Sequence, residues 1–122
     1  MKKYFYATLA FLTMLSCAKD DDGNIVPIPF QNCLQPHNLD ASSITTTSAV
    51  IEWSDRNDSN FFNLEFGLNG FQLGTGSRIN VNSDNVQLID LEPNTPYDFY
   101  VRSNCGGNDY SDWSGPSSFV TD

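Results

Sequence analysis

The chain has 122 residues, 39% hydrophobic and 13% aromatic, enough to fill one core and too many for wholesale disorder. Six basic and fifteen acidic residues give a formal net charge of −9. With Lys2 and Lys3 assigned to a leader, four basic residues face fifteen acidic ones, net −11, which repels phosphate backbones and argues against nucleic acid as a partner.

The N-terminus reads as an address. Met1-Lys2-Lys3 is a positive start, and Tyr4 to Leu15 is apolar except for Thr8 and Thr13. That run is shorter than the roughly 20 apolar residues a transmembrane helix needs. It fits a secretory signal peptide over residues 1–16. Met14-Leu15-Ser16-Cys17 resembles a lipobox, the signal at which bacteria acylate a cysteine thiol and cleave before it. Ser16 and Cys17 fit that pattern, whereas Met14 stands where leucine is usual. The resemblance implies covalent lipid on Cys17, with no other cofactor. Several acyl chains on one residue hold a protein to a membrane, at about 0.8 kcal/mol per buried CH2. The alternative is a plain signal peptide with an incidental cysteine. Cysteine parity favours lipid: three cysteines leave one odd in an exported chain, and assigning Cys17 to lipid leaves Cys33 and Cys105 as an even pair.

Ala18-Lys19-Asp20-Asp21-Asp22-Gly23 resembles the acidic export tag that sends lipoproteins to the cell surface in some Gram-negative bacteria; a solvated linker is the alternative, and the two are compatible. Pro27 and Pro29 mark the residues that follow as an extended spacer. The chain therefore divides into a signal peptide (1–16), an acidic and proline-containing tether (17–32) and one folded domain (33–122).

The domain reads as all β. Short apolar-alternating runs are separated by Asn, Asp, Gly and Ser clusters, with no helical period. In Ala49-Val50-Ile51-Glu52-Trp53, residues Ala49, Ile51 and Trp53 share a face. In Phe62-Asn63-Leu64-Glu65-Phe66 the apolar set points inward and the polar pair outward. Val86-Gln87-Leu88 leads to Leu91. In the run from Tyr97 to Arg102, Tyr97, Phe99 and Val101 face in while Asp98, Tyr100 and Arg102 face out. Turns are expected at Asp55 to Asn60, Asn69-Gly70, Glu92 to Pro96 and Gly106 to Asp109, with a hairpin region over Gly70 to Gly76.

Leu91-Glu92-Pro93-Asn94-Thr95-Pro96-Tyr97, followed by Phe99 and Val101, resembles the fibronectin type III signature leading into the sixth strand. Pro36 to Leu39 resembles the opening strand, Ala49 to Trp53 the second with its buried tryptophan, Phe62 to Phe66 the third, and Trp113 to Thr121 the last. The resemblance covers roughly residues 36 to 122 and implies a seven-stranded, immunoglobulin-like β-sandwich. It makes Trp53 a core residue, with Leu91, Pro93 and Thr95 shaping the corner. Tyr97 becomes a tyrosine corner, its hydroxyl bonded to backbone a few residues upstream. In such a sandwich the first strand begins at the pole where the sixth ends. Cys33 and Cys105, 72 residues apart, are thereby expected to form a disulfide, which an exported compartment permits.

The chemistry of sites is sparse. His37 is the single histidine, without a second histidine or cysteine pair at zinc spacing. There is no Gly-x-Ser-x-Gly elbow, and Gly70 to Gly76 lacks the lysine of a phosphate loop. Asp55, Asp58, Asp84 and Asp90 read as solvated turn residues rather than a glycosidase pair. Asp55 to Asn60 has the oxygen density of a calcium loop but lacks the Gly and distal Glu of an EF-hand. The expectation is no catalytic residue and no metal.

For binding, the best segment is Gly106 to Ser111, whose Asn108, Asp109 and Tyr110 combine polar groups with an exposed aromatic beside glycines. Trp113 is read as structural, stacked on Arg102 as a cation–π pair, with a sugar-stacking face as the alternative. The expectation is a lipid-anchored outer-membrane protein at the cell surface. Its non-enzymatic module would recognise protein or glycan at the cell envelope, with no oligomeric state implied. A carbohydrate-binding accessory to a surface polysaccharide-degrading system is the alternative.

Overall fold

The computed structural model describes residues 33–122. The signal peptide, Cys17 and the tether over 17–32 lie outside the described residues. Residues Cys33–Asp122 form one compact unit.

Seven strands follow in order: β1 (His37–Ser42), β2 (Ala49–Ser54), β3 (Phe62–Leu68), β4 (Ser77–Val81), β5 (Asn85–Leu88), β6 (Pro96–Ser103) and β7 (Ser114–Val120). They make two antiparallel sheets, β1-β2-β5 and β4-β3-β6-β7. This is the seven-stranded sandwich implied by the corner motif and the alternating runs. β4 was not among the runs expected, although Ile79 and Val81 do alternate with Arg78 and Asn80.

The period of two places Ala49, Ile51 and Trp53 of β2 opposite Phe62 and Leu64 of β3 and Tyr97, Phe99 and Val101 of β6. All are buried, joined by Val81, Leu88, Leu91 and Phe119. Trp53 and Phe62 meet edge to face at 5.2 Å, and Tyr97 stacks on Phe119 at 5.6 Å.

The corner between β5 and β6 is tied as expected. The Tyr97 hydroxyl accepts the Glu92 N–H at 2.8 Å. Leu91 is buried, and its N–H donates to Thr47. Thr95 N–H donates to the Thr121 hydroxyl at 2.9 Å, and the Thr95 hydroxyl donates to the Pro93 carbonyl at 2.7 Å. Pro93 itself is exposed, so its part is to shape the turn.

One expectation needs correcting. Asn63, Glu65 and Asp98 lie on the outer face of the four-stranded sheet, as the alternation requires, but they are 8%, 1% and 5% exposed. The physical cause is the β3–β4 connection, which folds back across that face. Phe71 from this loop packs edge-on against Tyr100 at 5.6 Å, and a Cβ on Gly67 or Gly76 would lie 2.8 or 2.7 Å from the Phe71 ring. Asn69 and Gly70 donate to the Asp98 carboxylate, while Gly74 and Gly76 donate to Glu65.

Candidate functional site

The pole where β2, β4 and β6 end and β3, β5 and β7 begin collects three turns and the entering chain. Cys33 and Cys105 are joined there by a disulfide, with Cα atoms 5.8 Å apart. The entering segment is also hydrogen-bonded. Leu34 N–H donates to Asn57 Oδ1 at 2.9 Å, and Asn57 Nδ2 donates back to the Leu34 carbonyl at 2.6 Å. Gln35 donates to the Ser114 hydroxyl at 3.0 Å, and that hydroxyl donates to the Pro36 carbonyl at 2.5 Å.

The β6–β7 turn, with its paired glycines, is held by its own backbone. Asp109 N–H donates to Gly106, Cys105 N–H to Asp109, and Ser111 N–H to Ser103, at 2.9, 2.8 and 3.0 Å. Gly106 and Gly107 have φ of +117° and +58°, values that β-carbons resist, and this explains the glycines. The turn lifts Asn108, Asp109 and Tyr110 into solvent; Tyr110 is 40% exposed.

Behind Tyr110 runs a ladder of alternating rings and guanidinium groups. Arg102 lies 3.9 Å from the Tyr110 ring centroid and 4.7 Å from that of Trp113, and Arg78 lies 5.1 Å from Trp113 on the way to the Glu65 carboxylate. The Arg102–Trp113 stack is where the sequence put it. Arg78 was missed, because its register opposite Glu65 depends on a strand that was not expected. Stacked guanidinium groups of this kind contribute roughly 0.5–2 kcal/mol each. Here they also fix the Tyr110 ring.

In front of Tyr110 opens a pocket of about 390 Å³ between the start of β3, the end of β4 and the β6–β7 turn. Its wall includes Phe61, Asn63, Asn80, Asn82, Asn104 and Tyr110. Asn63 is locked from both sides. Its Oδ1 accepts Arg102 Nε at 2.9 Å, and its Nδ2 donates to Asn80 Oδ1 at 2.6 Å. Asn104 Oδ1 accepts Gly106 N–H at 3.0 Å, and its own N–H donates to the Phe61 carbonyl at 2.8 Å. Sequence reasoning singled out Tyr110 but not this pocket, whose walls come from the start of β3, the end of β4 and the β6–β7 turn.

The two perturbed carboxylates are unsuited to proton transfer. Burial pushes Glu65 upward, but hydrogen bonds from Arg78, Gly76 and Gly74, with the Arg78 charge, outweigh it and hold the group below the usual carboxylate range. Asp98 is held low chiefly by the Ser118 hydroxyl, against burial, with Gly70 and Asn69 adding to the effect. Both stay ionised with their oxygens engaged, which makes them structural anions.

For metals, one group of Cys, His and carboxylate residues is close enough among the described residues: Cys33, Cys105 and Asp109. Its two sulfurs are spent in the disulfide. In the Asp55 to Asn60 turn, the Asp55 oxygens each accept a backbone N–H, from Asn57 and Ser59, both at 3.0 Å. These bonds account for Asp55, while Asp58 and Asn60 sit at φ of +55° and +59°, a region Asp and Asn tolerate. His37 is exposed on β1.

Solved structures share this architecture. A myokine structure matches at 24% identity with a TM-score of 0.63, covering 74% of this chain and 98% of its own. A computationally redesigned β-sandwich protein matches at 26% identity and TM-score 0.59, over 70% of this chain and 92% of its own. The FN5 domain of Drosophila Lar matches at 17% identity and TM-score 0.60, over 73% and 96%. No curated protein gives a match. The fibronectin type III domain family matches residues 34–120, which spans the corner motif, the core tryptophan and the final strand alike, and the chain belongs to that family.

Proposed function

We propose that this protein is a lipid-anchored, surface-displayed lipoprotein whose single fibronectin type III domain is a non-catalytic interaction module for a protein or glycan of the cell envelope. Domains of this kind commonly serve as interaction modules on rigid sandwiches, with the contacts made by loops. The observation that carries the reading is the β6–β7 turn. Asn108, Asp109 and Tyr110 are presented to solvent on a disulfide-held, hydrogen-bonded base, so a partner would meet a preorganised surface. The anchor rests on the sequence alone, on Cys17 after Met14-Leu15-Ser16.

Three measurements test it together. A clickable fatty acid fed to the producing cells labels the protein, and Cys17→Ser abolishes the label. Protease added to intact cells removes the domain if it is surface-displayed. Cross-linking on cells captures a partner whose yield falls in Tyr110→Ala. Labelling that survives Cys17→Ser sinks the anchor; capture indifferent to Tyr110→Ala sinks the turn as contact surface. A second reading, a carbohydrate-binding accessory to a polysaccharide-degrading system, is favoured by one feature, the amide-lined pocket beside Tyr110.

A further inference from the structure

We infer that the pocket beside Tyr110 is a binding subsite for a short stretch of neutral oligosaccharide. The inference rests on reading the domain as an interaction module, and it adds the face, the side chains and the ligand chemistry.

Charge is the first argument. The chain carries a net −9, yet none of the residues lining this pocket bears a formal charge. Asn82 supplies a primary amide with both a donor and an acceptor, and Asn80 and Asn104 supply Nδ2 donors, while Asn63 spends its amide on Arg102 and Asn80. An anionic ligand finds no cation in the wall: Arg102 lies behind it, between the Tyr110 and Trp113 rings, and gives its Nε to Asn63. A cationic ligand finds no carboxylate in the wall. A neutral polyhydroxyl ligand matches groups that donate and accept without charge.

The second argument is the pair of exposed rings. Phe61 is 56% exposed and Tyr110 40%, and both border the pocket. The axial C–H groups of a pyranose form an apolar face, and a flat ring is its natural partner, burying apolar area without asking for a hydrogen bond. Amides at the rim with rings beside them therefore suit a ligand that is apolar on one face and hydroxylated at its edge.

Third, the wall is set before anything binds. Asn63, 8% exposed, holds Asn80 by its carbonyl oxygen, and Gly106 N–H holds Asn104 in the same way. Both residues are thus oriented with their Nδ2 donors left over for a ligand. Arg102 holds the Tyr110 ring from behind at 3.9 Å. Immobilising such side chains on binding costs conformational entropy, and most of that ordering is already present. The volume of about 390 Å³ lies toward the small end of ligand sites. Those span about 300–1,000 Å³, so the fit is to a short stretch of chain rather than an extended polymer groove.

The test is an array printed with neutral, uronic-acid-bearing and amine-bearing oligosaccharides, probed with the full chain. Calorimetry of the hits then compares the native chain with Phe61→Ala, Tyr110→Ala and Tyr110→Phe. The expected hits are neutral glycans. Affinity should fall about tenfold or more in both alanine variants, as for a contact centred on aromatic anchors, and stay within about threefold in Tyr110→Phe, which keeps the ring. Thermal melts of each variant separate lost binding from lost fold, and Phe61→Ala, in a surface turn, remains informative if Tyr110→Ala misfolds. A blank array, hits confined to charged glycans, or neutral hits unmoved by both alanine substitutions each overturn the subsite. Cross-linking on cells runs in parallel. A protein captured through Tyr110 with a blank array refutes the sugar subsite and leaves the interaction module standing, whereas failure of both refutes both.

Discussion

Four hydrogen bonds converge on the Glu65 carboxylate: Gly74 N–H at 2.6 Å, Gly76 N–H at 2.9 Å, and Arg78 Nε and Nη2 at 3.2 and 2.6 Å. In Glu65→Gln the amide cannot serve all of them, because one of its ends is itself a donor. Stability should fall by about 2–3 kcal/mol, the cost of losing charge-assisted bonds and leaving a buried donor unpaired, read from urea unfolding. The same residue sets a pH dependence. In the unfolded chain Glu65 and Asp98 titrate in the ordinary carboxylate range, about 4, and in the fold both titrate lower. Between those values the unfolded state binds more protons, so the stabilisation is fully present above the ordinary range and is lost as pH falls through the folded values. Glu65→Gln should flatten that acid limb, and Asp98→Asn in addition should flatten it further. An unchanged limb in the double variant would assign acid sensitivity to other groups. Nothing in the sequence marks Glu65 as buried, since a polar residue between Leu64 and Phe66 is what any half-exposed strand presents. Its environment is supplied from a turn nine residues away.

At the scale of elements, β2, β3 and β6 were legible because alternation is local: Ile51 and Trp53, or Phe99 and Val101, announce a face by themselves, whereas β4, with Ile79 and Val81 as its alternating pair, was not read. The corner was legible because Pro93, Thr95 and Tyr97 act on near neighbours. The β3–β4 hairpin was only half legible. Its glycines marked a turn, but no periodicity says that Phe71 lies back over the sheet. Gly67 and Gly76 are the backbone's accommodation to that ring. Gly76 has no need of positive φ; its constraint is space, since a Cβ would sit 2.5 Å from the Phe66 carbonyl oxygen and 2.7 Å from Phe71 Cε2. Gly76→Ala should therefore lift the hairpin, at about 1–3 kcal/mol, the usual range for overpacking. Amide exchange at Gly74 and Gly76 should accelerate with it, since their partner is Glu65. Gly107→Ala is the comparison. Its Cβ would meet nothing within 4 Å, so only its φ of +58° is charged against it, about 1 kcal/mol. Equal effects in the two variants would mean that Phe71 does not hold the hairpin down. The pocket near Tyr110 was illegible for a related reason. Phe61, Asn80 and Asn82 carry no signal in their own segments, and they become a wall only when β3 and β4 pair.

For the molecule as a whole, the question is what holds the entering chain to the pole that carries the candidate site. Two devices act at the same place. The Cys33–Cys105 disulfide closes a span of 72 residues, for which the chain-entropy account gives about 4 kcal/mol. The second device is non-covalent: Leu34 with Asn57, and Gln35 and Pro36 with Ser114. A domain of this size has a total stability of only about 5–13 kcal/mol, so losing the bridge removes a large share without necessarily unfolding it. Cys33→Ser with Cys105→Ser should therefore remain folded at 25 °C, with a lower urea midpoint. The denaturant slope should rise, because an unfolded chain released from its cross-link exposes more surface. Adding Asn57→Ala to the disulfide-free chain should cost about a further 1–2 kcal/mol, since two hydrogen bonds with Leu34 are lost together. In the oxidised protein the same substitution should cost less, because the bridge already confines Leu34 beside its partner. Equal costs in the two backgrounds would show that bridge and hydrogen bonds hold the segment independently. A larger cost in the disulfide-free chain would show that they are coupled. In the coupled case, reduction would loosen the base of the β6–β7 turn as well as the entering chain, because Cys105 N–H, Asp109 and Gly106 share one run of backbone hydrogen bonds. On the proposed reading of Tyr110 as the contact surface, partner capture should then weaken on reduction, before the core unfolds.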